Sequence, residues 1–374
     1  MKKIGIITLF TNNNNYGGVA QAYALWKYIT KKGYSCELIN YKKQKNEKKT
    51  IIGICKKNIK KIIMMPNNIY VLLKSIKYKN NLKKREEKLE EFRNRIPHSE
   101  EFSLKTIEKI KGKYDIYVTG SDQCWNPYVV DDAFVYSFLD NKEKVISYAT
   151  SIAIENVDEI YEKYMKKHLK KYKNISVREK SSKKIIEKIG YDCELVVDPT
   201  LLLSRDDWED ITSPRLIDSK YVVAYILGNS TEQRKKIIDY AKELNMKLIT
   251  IPFIKNGNQF KFKIEDDNFG DNQMIDISFE DFLSLIKYSE LVITDSFHAV
   301  CFSYIYKKNF YVFERTGVST SSRIRTIMNE MNISEERIIK NNINKETPID
   351  YEKVDESIKP IIKNSQKILD VWLK

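Results

Sequence analysis

The sequence predicts an α/β protein built as two doubly wound domains that face each other across a cleft. Three observations carry that expectation. Short β-branched apolar runs alternate with amphipathic helical stretches along most of the chain, the pattern of parallel strands joined by helical crossovers. The alternation pauses once, over 204–219, where a polar stretch holding Pro214 reads as an interdomain linker. The 374 residues suffice for two cores of ordinary size.

The first domain is placed at 1–205. It opens with a strand over 3–10, a helix over 19–32 closed by Gly33, and a strand over 36–41. A basic excursion over 42–113 follows, with a charged helix at 82–95. The strand 115–119 ends at Gly120-Ser121-Asp122. Then come a strand at 144–152, a helix at 160–172, a short strand at 175–177, a helix at 181–189 stopped by Gly190, and a strand at 194–197 before Asp198-Pro199. The second domain, 220–345, repeats the alternation: strand 221–227, helix 231–245, strand 247–251, helix 279–288, strand 291–293, a helix from His298, strand 310–313 and helix 324–331. Residues 350–374 read as a terminal amphipathic helix that packs back on the first domain.

Composition narrows the class. The net charge of +14 resides in 42–85, where fifteen basic residues face the single acid Glu47, so the rest of the chain balances. Within that segment Ile59, Ile62 and Ile63, then Ile69, Leu72, Leu73 and Ile76, keep helical spacing on either side of Pro66. Such a basic amphipathic pair suits peripheral contact with an anionic membrane surface; a solvated excursion whose apolar stripe packs on the domain fits as well. No nucleic-acid-binding signature accompanies the charge, so nucleic acid is not an expected partner. Five cysteines without a Cys-x-x-Cys pair read as free thiols in a reducing compartment. The apolar N-terminal run is short and meets Asn12–Asn15 at once, which favours a strand over a signal peptide. The expected location is cytoplasmic, with contact on the inner membrane face through 42–85.

Polar clusters directly after strands supply the candidate site, because ligands of parallel α/β sheets bind at the carboxyl edge. Histidine is scarce (His98, His168, His298), yet Thr294-Asp295-Ser296-Phe297-His298 ends one strand and opens one helix. Backbone N–H groups there favour an anion; a plain cap by Asp295 or Ser296 is the alternative. In Asn15-Tyr16-Gly17-Gly18, with Gln21 a turn later, the glycines permit close approach of a ligand, although a tight βα turn would look the same. Neither nucleotide-binding fingerprint is present. The third cluster offers Ser121, Asp122 and Asn126 for hydroxyls and Trp125 as a flat face for a sugar. Arg178 presents a planar fork for carboxylate or phosphate, and Ser322 with Arg323 at a helix start would hold a phosphate. Three dispersed histidines predict no metal site, and the absence of a Gly-x-Ser-x-Gly elbow argues against a hydrolase triad.

Taken in order, Asn15-Tyr16-Gly17-Gly18 with Gln21-Ala22-Tyr23-Ala24-Leu25, Val118-Thr119-Gly120-Ser121-Asp122-Gln123, Trp125-Asn126-Pro127, Val177-Arg178-Glu179, Asp198-Pro199-Thr200 and Thr294-Asp295-Ser296-Phe297-His298 resemble the polysaccharide pyruvyl transferase family. The resemblance runs from the first strand to about Met331. It implies two Rossmann-like domains in a glycosyltransferase-B-like arrangement, with the acceptor on the first domain and the donor on the second. It further implies transfer of pyruvate from phosphoenolpyruvate to a sugar as a ketal, in surface or capsular polysaccharide synthesis. On that footing the expected roles are as follows. His298 binds phosphate and acts as general acid or its relay, while Arg178 and Arg323 clamp the donor's anionic groups. Asp122 or Asp295 serves the acceptor hydroxyl, and Ser296, Ser322, Asn15, Tyr16, Gly17, Gly18, Gln21, Ser121, Trp125 and Asn126 bind substrate. No cofactor is expected beyond the donor, and the acceptor sugar is free or lipid-linked. The alternatives are a nucleotide-sugar-dependent glycosyltransferase on the same architecture and a carbohydrate-binding scaffold without turnover.

Overall fold

A computed structural model of the chain describes residues 1–11, 14–43, 73, 76–254, 263–315, 321–340, 343 and 347–374. The basic helical pair expected over 59–76 lies almost wholly outside them; of its apolar residues Leu73 and Ile76 are described, and both are exposed.

Strands β1 (Lys3–Ile7), β2 (Ser35–Leu38), β3 (Ile116–Thr119), β4 (Lys144–Ser147) and β5 (Tyr172–Asn174) form one sheet in the order β2-β1-β3-β4-β5. Strands β6 (Ser176–Val177) and β7 (Glu194–Leu195) pair beside it. Strands β8 (Tyr221–Tyr225), β9 (Lys247–Thr250), β10 (Asn272–Gln273), β11 (Leu291–Thr294), β12 (Asn309–Phe313) and β13 (Ile338–Ile339) form a second sheet in the order β10-β9-β8-β11-β12-β13. All of these pairings are parallel. The helices of the first half are α1 (Tyr16–Lys31), α2 (Lys79–Asn94), α3 (Glu159–Leu169) and α4 (Lys180–Lys188). After them come α5 (Arg205–Glu209), α6 (Thr231–Glu243), α7 (Phe279–Lys287), α8 (Phe297–Ile305), α9 (Ser321–Glu330) and α10 (Tyr351–Leu373). The expected doubly wound α/β class is the one observed.

Each sheet reverses its winding once. In the first, β2 lies on one side of β1 and β3 on the other; in the second, β9 and β11 flank β8. A crevice opens at such a switch point outside the carboxyl ends of the strands. The two crevices meet. They are held together by one core drawn from both halves, in which Val19, Leu25 and Trp208 pack with Phe279, Phe302 and Met328. Helix α10 spans that junction: Tyr351 donates to Ser303 O (3.1 Å), Ser365 Oγ accepts from Val197 N (3.0 Å), and Tyr28 donates to Asp370 (3.0 Å).

The departures from expectation are local. The first strand stops at Ile7, and the third helix at Leu169, because Tyr172 joins β5, its hydroxyl 2.7 Å from Thr119 Oγ1. The stretch 204–219 does not begin as a plain linker. Ser204 and Asp207 close a capping box over α5, and Trp208 is buried against Tyr23 and Phe302. Helix α1 starts at Tyr16, three residues before the expected position, because Asn15 caps it through Gly17 N (3.1 Å). No helix of the described residues is long and apolar enough to cross a membrane.

Candidate active site

The site is built where the two switch points meet. On the first half, α1 presents Gly17 toward the second. A Cβ at Gly17 would lie 2.0 Å from His298 Nδ1, so the close approach expected of this turn is the approach of an imidazole, and glycine is what admits it. On the second half, β11 ends at Thr294, whose hydroxyl donates to Tyr225 O (2.6 Å) and accepts from Ser296 N (3.0 Å). That tie aims the first turn of α8, with Phe297 and His298, into the crevice.

Below His298 sits a buried ionic cluster. Arg178, at the end of β6, donates through Nη1 to Asp198 (2.5 Å) and through Nη2 to Asp122 (2.7 Å), and its Nε lies 4.0 Å from Glu179. Phe297 covers its face, 4.8 Å from ring centroid to guanidinium carbon. Asp198 also accepts from Thr200 N (3.0 Å) and Ser121 Oγ (3.2 Å) and stands 3.7 Å from His298 Nε2. Arg323 Nη1 lies 4.0 Å from Asp122. Glu179 is held by Ser151 Oγ (2.9 Å) and by the N–H groups of Ile152 (3.1 Å) and Ala153 (3.0 Å). Asp122 reaches this position from a left-handed backbone (φ 67°), after Gly120 at φ 130°, whose Cβ would lie 2.1 Å from Tyr148 O.

These contacts set the charges. Burial works to raise the Asp198 carboxyl, but Arg178 and His298 outweigh it and hold the group well below the usual carboxylate range. Asp122 is lowered in the same way, against burial, by Arg178, His298 and Arg323. Arg178, despite burial, is driven above its ordinary value by the two aspartates and Glu179. Arg323 moves the other way: burial, with Arg178 adding to it, pushes its guanidinium down to about 10. Arg178 is therefore neutralised by protein carboxylates, and Arg323 is not. His298 Nε2 and Arg323 Nε are both buried without a hydrogen-bond partner.

The predicted residues accordingly separate. His298, Arg323, Arg178 and Asp122 converge, although they are dispersed along the chain. Ser322 sits beside them, 3.4 Å from Ser181 of the other half, and Ser296 is the N-cap residue of α8 without capping it. Asn15 accepts from Tyr225 Oη (3.5 Å), and Gly18 shares the first turn of α1. Others are corrected. Arg178 is enclosed on all sides, so it cannot clamp a substrate anion and positions Asp122 and Asp198 instead. Both carboxyl oxygens of Asp295 are taken by Leu227 N (2.6 Å) and Gly228 N (2.7 Å), with Arg315 Nε at 3.3 Å, which removes it as the acceptor's base. Trp125 is fully buried, its ring edge-on to Tyr172 and its Nε1 donating to Phe134 O (3.3 Å), so no sugar stacks on it. Asn126 spends its amide on Ile152 O (2.9 Å) and Tyr128 N (3.0 Å). Gln21 bonds Thr8, Gly18 O and Ser121 N, Ser121 bonds Ala149 O, and Tyr16 is stacked on Phe282 at 4.6 Å. All of these brace the crevice. Asp198 and Glu179 were missed as site residues, although Asp198 also follows a strand end, the signal that selected Asp122.

A family model described as polysaccharide pyruvyl transferase matches residues 15–317. The fold is similar to that of the UDP-GlcNAc 2-epimerase from Methanocaldococcus jannaschii, with a TM-score of 0.52 and 12% identity over 99% of both chains. It is also similar to S. aureus MnaA in its UDP co-structure, with a TM-score of 0.53 and 12% identity over 98% of this chain and 90% of that one. The UDP-GlcNAc 2-epimerase from Neisseria meningitidis bound to UDP-GlcNAc gives 0.51 and 11% over 100% and 99%. At these identities the likeness is one of fold, and it makes the two-domain arrangement glycosyltransferase-B-like. No curated protein matches the chain.

Proposed function

The chain belongs to the polysaccharide pyruvyl transferase family, and from that membership we propose that it moves pyruvate from phosphoenolpyruvate onto two hydroxyls of a sugar, closing a ketal. One hydroxyl oxygen bonds C2 of the donor as a proton reaches the methylene carbon. The bond from C2 to the phosphate oxygen then breaks, and the second hydroxyl takes its place. Of the two hydroxyl protons, one is balanced by the proton in the new methyl group and the other leaves on inorganic phosphate.

The observation that carries this reading is the meeting of two unspent donors, His298 Nε2 and Arg323 Nε, at the junction of both halves. A donor bearing phosphate and carboxylate needs cationic hydrogen-bond donors that no protein carboxylate has consumed. Arg323 meets that need, and an anion beside it would offset the burial that disfavours its charge. His298 stands where it can bind the phosphate and deliver the proton, with Asp198 behind it. Asp122 stays ionised and orients an acceptor hydroxyl, while Arg178 fixes both aspartates. The acceptor is a sugar, free or lipid-linked. Positioned acid–base groups contribute about 10²–10⁴-fold, so His298→Ala should lower phosphate release from phosphoenolpyruvate with an acceptor sugar by that factor. Activity within a few-fold of the parent would remove His298 from the chemistry.

A further inference from the structure

The basic segment 42–85 ends in a residue that does not face solvent. Arg85 lies on α2, and α2 is a strap between the halves: Phe92 packs on Tyr23 (5.4 Å) and on Phe279 (4.8 Å), Lys88 donates to Asp276 O (2.8 Å), and Arg95 pairs with Glu280 (2.6 Å). This delivers Arg85 to the crevice of the second sheet, 2% exposed, with Nη1 donating to Pro252 O (2.7 Å) beyond the end of β9. Its guanidinium carbon stands 4.4 Å over the Tyr16 ring. Its Nε and Nη2 are buried with no hydrogen-bond partner, and no carboxylate among the described residues pairs with it. Arg178 and Arg234, equally buried, each have an aspartate. A guanidinium shut away without an acid is unfavourable unless something anionic comes to it. The neighbour on the other side is also cationic: Arg85 and Arg315 both bear on the Tyr225 hydroxyl, and Arg315 remains partly exposed.

We propose that Arg85 and Arg315, on either side of Tyr225, form a second anion subsite in the cleft, and that it takes a phosphate or diphosphate carried by the acceptor. This rests on the pyruvyl-transfer reading for the identity of the acceptor. The subsite is distinct from the donor cluster because Arg85 lies against Tyr16 and His298 against Gly17. Successive side chains of a helix point about 100° apart, so the first turn of α1 separates the two cations.

The test titrates inorganic pyrophosphate into the full chain by calorimetry, with and without saturating phosphoenolpyruvate, and repeats it on Arg85→Gln. The parent should bind pyrophosphate with an affinity that phosphoenolpyruvate leaves unchanged within about twofold. Arg85→Gln should weaken pyrophosphate about tenfold or more and leave phosphoenolpyruvate binding alone. No pyrophosphate binding to the parent, equal binding to the variant, or displacement by phosphoenolpyruvate would each overturn the subsite. If the variant does not fold, the displacement measurement on the parent decides. A parent that binds pyrophosphate through Arg85 but not phosphoenolpyruvate keeps the subsite and discards the donor reading.

Discussion

Gly17 shows how much of this site hangs on single atoms. A methyl group there meets the His298 ring at 2.0 Å, a separation no packed pair sustains, so the imidazole must turn or the halves must part. Gly17→Ala should therefore cost about 1–3 kcal/mol of stability and lower activity about 10²-fold, since misplacing a reacting group by about an ångström has that effect. Urea unfolding and phosphate release read the two effects separately; parental activity in a folded variant would show that the position of His298 is immaterial. His298, Arg323 and Gly17 were legible in the sequence because each lies in a polar or glycine-rich cluster beside a strand end. The fate of Arg178, Asp295 and Trp125 was not, because a strand-end rule locates a residue and says nothing of what encloses it. Arg178 reads as an anion clamp until Asp122 and Asp198, 56 and 20 residues away, are seen to occupy it.

At the scale of elements, the long periodic stretches were readable and the short edge pieces were not. Strands β10 and β13 contain two residues each, too few to display a period of two, and both lie at sheet edges. The helix α9 that carries Arg323 has its own titratable end. Burial, opposed by Lys180, raises the Glu330 carboxyl to about 7. Because the folded state prefers the protonated form, the associated stability is fully present below the ordinary carboxylate value near 4.5 and is lost as pH rises through about 7. Glu330→Gln should thus match the parent in denaturant midpoint at pH 4 and exceed it at pH 8, by about 1 kcal/mol after allowance for partial exposure. An identical pH dependence in both proteins would mean that Glu330 is not held in its neutral form.

For the whole molecule, the decisive fact is that two sheets share one core and one ionic cluster. Helices α1, α7 and α8 pack together, and α10 ties both halves. The chain should therefore unfold in one cooperative transition followed alike by fluorescence and circular dichroism; two separated transitions would show that the halves are independent. The same union makes the site, since His298 and Arg323 come from the second half and Asp122 and Asp198 from the first. The most direct measurement is calorimetric titration of phosphoenolpyruvate into the parent and into Arg323→Gln. Loss of a charge-assisted contact should weaken binding at least about tenfold while the variant stays folded. Equal affinity in the two proteins would contradict the assignment of this buried junction as the donor site.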